Sequence, residues 1–141
     1  YEMLRSLVGS EMCIRDRTIR AGCKKNFMIY SGEDSNAKDF ILNGGDGVIS
    51  VTANVAPKLC SEFQNASLSK NNSNLIAKAK EINKKLMPLH KSLFIESNPS
   101  PVKFAAKQLG LCDDAVRLPL VKVTEQTREI IIKALKSTEL I

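Results

Sequence analysis

The chain has 141 residues, 43% apolar and 26% charged, enough for one domain with its own core; no apolar run approaches the roughly 20 residues of a membrane-spanning helix, so no membrane partner is expected. Its formal net charge is +6, but Lys24, Lys25, Lys78, Lys80, Lys84, Lys85 and Lys107 are scattered with few aromatics to stack bases, which argues against a nucleic-acid partner. Cys13, Cys23, Cys60 and Cys112 form no CxxC pair and His90 stands alone, so no metal site is expected and four reduced thiols fit a cytoplasmic location.

In chain order, Tyr1–Arg17 (YEMLRSLVGSEMCIRDR) has charges interrupting any apolar core and is no signal peptide. It resembles translated read-through sequencing-adapter sequence, which implies a non-native start; the alternative is an amphipathic helix containing Met3, Leu4, Leu7 and Val8. Residues 18–25 read as the tail of a helix and a turn, with Gly22 as its C-cap. The apolar run Phe27–Tyr30 then predicts a strand, and Ala37, Phe40 and Ile41 fall on one face of a following helix. Asp34 or Ser35 is expected to cap that helix at its start, and Gly44-Gly45 to end it. Val48–Val51 predicts a second strand. Neither strand alternates apolar with polar, so both faces of each are expected to be covered, as in a parallel sheet between helices.

Beyond Asn54 the pattern is helical. Ala56 to about Ser69 carries Pro57 in its first turn and Leu59, Phe63 and Ala66 on one face. After a turn at Asn71–Asn74, a helix is expected from Leu75 to Leu86, with Pro88 kinking or ending it and Leu89–Ile95 resuming. Ser97–Pro101 reads as a rigid connection. Pro101 opens a short helix that Gly110 closes, and Cys112–Val121 is irregular around Pro119. Thr124 caps a last helix whose apolar stripe is Ile130, Ile131, Ala134 and Leu135.

In a parallel α/β sheet ligands gather at the carboxyl ends of the strands, which directs attention to Ser31–Asp34 and Ser50–Asn54. Gly32 lies just past the first strand, where the lack of a Cβ serves either a tight turn or close approach of backbone to a ligand. Glu33 and Asp34 are adjacent, so their side chains diverge and a paired acid and base is not expected. Lys103 lies in the helical part, away from any strand end, and is expected to be a surface or capping lysine instead of an imine former.

Three motifs in order, Tyr30-Ser31-Gly32-Glu33-Asp34, Gly44 to Asn54 (GGDGVISVTAN) and Asn98-Pro99-Ser100-Pro101-Val102-Lys103, resemble the C-terminal half of the dihydrodipicolinate synthase family, from about Thr18 to Ile141. The resemblance implies an α/β fold: a fragment of a (β/α)8 TIM barrel, its last two strands, followed by a C-terminal helical region. Such a barrel usually takes about 250 residues. The organisation implied is 1–17 non-native, 18–72 the last two βα units and 73–141 the helical domain. The intact enzyme would condense pyruvate with aspartate semialdehyde in lysine biosynthesis through a Schiff base, without a cofactor, as a cytoplasmic homotetramer. By the same resemblance Ile49 packs against bound pyruvate, Gly32 borders the mouth of the site, and Asp34 and Asn98 are expected to hydrogen-bond across the strand-end loops and position that mouth. Glu33 stands where the family more often has Asp. The imine-forming lysine, the relay tyrosines and the carboxylate binder would lie upstream, so this stretch is expected to carry no catalytic residue. The rival readings are another class I pyruvate aldolase, of the N-acetylneuraminate lyase or keto-deoxy-sugar type, and a non-enzymatic helical interaction module.

Overall fold

The computed structural model describes residues 18–24, 26–69 and 71–141; the readings of Tyr1–Arg17 and of Lys25 fall outside them. Residues 18–22 are helical, ending at Gly22. β1 (Tyr30–Ser31) pairs in parallel with β2 (Gly47–Val48), Tyr30 opposite Gly47 and Ser31 opposite Val48. The ladder is extended by the Asp46 amide donating to the Ile29 carbonyl at 2.9 Å and the Ile49 amide to the Ser31 carbonyl at 2.8 Å. Between the strands lie a 3-10 turn (Asp34–Asn36) and α1 (Ala37–Leu42), which buries the expected Ala37, Phe40 and Ile41. Strand, helix and parallel strand thus follow in the predicted order, but the strands are shorter than Phe27–Tyr30 and Val48–Val51.

The expectation that both strand faces are covered fails. Ile29, Ser31 and Val48 turn towards the helices, whereas Phe27, Met28, Tyr30 and Ile49 are exposed, Ile49 at 73%. An apolar strand is buried on both sides only where a layer lies on each, and among the described residues the helices supply one layer.

The cap of the first turn also differs from prediction. Neither Asp34 nor Ser35 is the cap: the Glu33 carboxylate accepts from the Ser35 amide at 3.2 Å, and Asn36 precedes α1 without a side-chain cap bond. Gly44 ends α1 as expected, at φ +106°, a conformation few residues other than glycine adopt. Gly45 is required for a different reason: a Cβ there would lie 2.2 Å from the Phe40 ring, which is itself buried. Gly45→Ala is therefore expected to cost about 1–3 kcal/mol through overpacking, read as a lower denaturation midpoint at unchanged m-value.

α2 (Pro57–Leu68) begins on proline and α3 (Ser73–Ser92) is capped by Asn72, whose side-chain oxygen accepts from the amides of Asn74 and Leu75 at 3.1 and 3.2 Å. Pro88 neither ends nor interrupts α3. It lies on the exposed side of that helix, where water can satisfy the carbonyl its ring leaves unpaired, while Leu86, Leu89 and Leu93 hold the opposite side in the core. α4 (Ser100–Gln108) follows a cis Asn98–Pro99 bond, and Gly110 at φ +72° closes it.

The irregular stretch before the last helix is fastened at Asp114, which accepts from Lys107 at 2.7 Å and Lys122 at 3.0 Å; these two hold its carboxyl well below the usual range. α5 (Glu125–Ser137) starts at Thr124, whose hydroxyl accepts from the Thr127 amide. Of its expected stripe, Ile131, Ala134 and Leu135 are buried but Ile130 is exposed. Thr127 and Thr138 complete the inward face instead, each three or four residues from a buried member of the stripe. Arg128 reaches back over the Phe104 ring of α4, 5.6 Å from its centroid. One apolar core runs from α1 through α5.

Candidate functional site

The candidate site lies at the carboxyl ends of β1 and β2. Continuing the ladder by one residue sets Gly32 beside Ile49 on the uncovered face, the Ile49 amide already being held by the Ser31 carbonyl. The two residues expected to touch a ligand are therefore neighbours, one offering backbone without a side chain and the other an exposed branched alkyl group.

Asp34 joins the two strand-end loops. It is 3% exposed, and its Oδ2 accepts from the amides of both Val51 and Thr52, at 2.9 and 3.0 Å. Thr52 is fully buried and its hydroxyl shares a 2.7 Å hydrogen bond with Nδ1 of His90 on α3. The next amide, Ala53, donates to the Ser50 hydroxyl at 2.9 Å. Asn98 stands apart from this clamp. It lines a groove of about 410 Å³ with Val51, Asn54, Val102 and Lys103. Lys103 donates to the Ala115 carbonyl in the irregular stretch after α4, which is not a helix end.

On the helix side of the strands a cavity of about 250 Å³ is lined by Asp34, Val48, Ser50, Cys60, Gln64 and His90, among others. Burial pushes the Cys60 thiol up to about 11, against the bond from the Ser50 hydroxyl. It is protonated at neutral pH and is no nucleophile. Among the described residues no cluster of three or more histidine, cysteine or acidic side chains is arranged to hold a metal, and no helix is long and apolar enough to cross a membrane. What the strand ends offer is an apolar wall, an open stretch of backbone and a rigid support behind them.

Burial lowers the His90 pKa, opposed by the negative charges of Asp34 and Glu33. The unfolded chain takes up this proton near pH 6.5, whereas the folded chain resists it. The stabilisation is thus complete above about pH 6.5 and is lost as pH falls towards the lower folded value. Stability is expected to decline from about pH 6.5 before the carboxylates titrate near pH 4, and His90→Asn should flatten that limb of a denaturation series.

Thr52 and His90 did not stand out in the sequence as site residues. The signal for His90 was present: with Ala79, Ile82 and Leu86 it repeats at three-to-four spacing on the buried face of α3. Its partner 38 residues away was not legible.

Two parallel strands, each followed by a helix, with an all-helical extension after them, define a segment of an α/β fold. The sequence model of the dihydrodipicolinate synthetase family matches residues 4–138, and the chain belongs to that family. It is 58% identical over 116 residues to the 4-hydroxy-tetrahydrodipicolinate synthase of Pelagibacter ubique (strain HTCC1062), covering 82% of this chain and 39% of that protein. With the Methylococcus capsulatus enzyme of the same name it shares 47% over 118 residues, 84% of this chain and 39% of the relative. Among solved structures it is similar to the chloride-inhibited dihydrodipicolinate synthase of Acinetobacter baumannii complexed with pyruvate (TM-score 0.83, 41% identity, 92% of this chain and 43% of that one). The Thermotoga maritima dihydrodipicolinate synthase gives a TM-score of 0.81 at 41% identity, over 89% of this chain and 42% of that one. The chain spans about two fifths of the length of these relatives.

Proposed function

We propose that this chain is the C-terminal part of a 4-hydroxy-tetrahydrodipicolinate synthase, the enzyme that condenses pyruvate with aspartate 4-semialdehyde through a Schiff base in lysine biosynthesis. β1 and β2 are the last two strands of its (β/α)8 barrel, and residues 73–141 form the helical region that follows. The uncovered face bearing Met28, Tyr30, Gly32 and Ile49 looks into the barrel in the whole protein. Ile49 closes an apolar wall beside the keto acid, Gly32 borders the mouth, Asp34 holds the strand-end loops together, and Asn98 lines the groove beside the loop after β2. The lysine that forms the imine comes from the preceding strands. The intact enzyme is cytoplasmic and assembles as a homotetramer.

The observation that carries this reading is an apolar face without cover, bearing Met28, Tyr30 and, one step past the Ser31–Val48 pair, Ile49, at the strand ends where barrel enzymes place their chemistry. The test joins the preceding segment of the Pelagibacter ubique enzyme to residues 18–141. The chimera is expected to consume both substrates and to give a pyruvate adduct on borohydride reduction, while the 141-residue chain alone traps none. A stoichiometric adduct on the short chain, or a folded but inactive chimera, would overturn the proposal.

A further inference from the structure

We propose that His90 is a positioning residue for the keto-acid wall: from α3 it holds Thr52, and through Thr52 the loop after β2 and the backbone that carries Ile49. The inference rests on the reading of Ile49 as part of the substrate wall.

Ile49 has little to hold it by its own side chain, which is 73% exposed. β2 is two residues long, so the ladder alone does not set the direction in which Ile49 points. The backbone around it is fixed by discrete hydrogen bonds: the Ile49 amide to Ser31, the amides of Val51 and Thr52 to Asp34, and that of Ala53 to Ser50. Thr52 is the junction, being gripped through its main chain by the β1 loop and through its hydroxyl by His90. Packing alone requires no hydroxyl at that position. With the hydroxyl bonded to a buried imidazole, a helix of the appended region sets the last strand end of the barrel. The low pKa that burial imposes on His90 keeps the ring neutral and the junction free of an additional charge near neutral pH.

The test compares removal with conservative replacement in the active chimera. Thr52→Val and His90→Leu are expected to raise KM for pyruvate about tenfold with kcat changed less than about twofold, the signature of a lost binding wall. Thr52→Ser and His90→Asn, which retain a hydrogen-bonding atom at the same reach, should restore KM. Equal behaviour of Thr52→Val and Thr52→Ser, or a fall in kcat at unchanged KM, overturns the inference. An inactive parent chimera counts against the proposed function and leaves the positioning role to amide exchange in the 141-residue chain. There Thr52→Val should speed exchange at Ile49 and Val51 about tenfold while Ile131 in α5 is unaffected. Unchanged exchange at the strand end refutes positioning whatever the chimera does.

Discussion

Asp34→Ala is expected to lower the stability of the folded chain by about 3 kcal/mol and its melting temperature by about 10 °C. The carboxylate is 3% exposed and a single oxygen, Oδ2, accepts from the Val51 and Thr52 amides. Alanine leaves both donors without a partner, and Thr52 is sealed from water. A hydrogen bond to a charged group contributes about 1.5–3 kcal/mol, and two are lost, offset in part because no carboxylate then has to be desolvated. Asp34→Asn retains an acceptor oxygen without its charge and should cost about half as much. Thermal melts of the three chains decide the matter: an alanine variant melting with the parent would show that the clamp adds nothing to the fold. A single shifted transition is expected, because the core beneath the clamp is continuous from α1 to α5.

Local chemistry was legible in the sequence and long-range chemistry was not. The stripe of Ala37, Phe40 and Ile41, the end of α1 at Gly44, the proline start of α2, the close of α4 at Gly110 and the Thr124 cap all depend on residues within one or two turns. The helix-cap reading of Asp34 fails because any short oxygen-bearing side chain at that position suits the role, while its expected bond across the strand-end loops is present, to amides 17 and 18 residues ahead that the sequence did not single out. Pro88 was misread because its cost falls on one carbonyl while the rest of α3 is held by packing that spacing alone does not weigh. The apolar strands read as buried on both faces, but two described strands and one layer of helices leave one face bare. At the site, Gly32 and Ile49 could be placed at strand ends from pattern, but their adjacency follows from the register, and the His90–Thr52 bond follows from α3 reaching the loop after β2.

In the active chimera, Ile49→Asp is expected to raise KM for pyruvate about a hundredfold, whereas in the 141-residue chain the same substitution should change stability by less than about 0.5 kcal/mol. The contrast follows from where Ile49 sits. Its side chain is 73% exposed here, so folding of this chain gains little from it. In the proposed function the same side chain, within a closed barrel, is a contact for the keto acid. Removing an apolar wall of that size forfeits about 1.5–3 kcal/mol, and a carboxylate placed beside the substrate's own carboxylate adds like-charge repulsion in a site shielded from water. Together these approach 3 kcal/mol, or about two powers of ten in affinity. Ile49→Val and Ile49→Leu keep the wall apolar and should cost about 1 kcal/mol or less. A pyruvate titration of the parent, the aspartate variant and the two aliphatic variants separates the possibilities. If the aspartate variant binds pyruvate as the parent does, Ile49 does not face the substrate and the strand-end wall must be sought elsewhere. If it loses binding while the isolated chain melts unchanged, the effect belongs to the site and not to the fold, because a residue that stabilises nothing in its own chain can then act only through what approaches its open side.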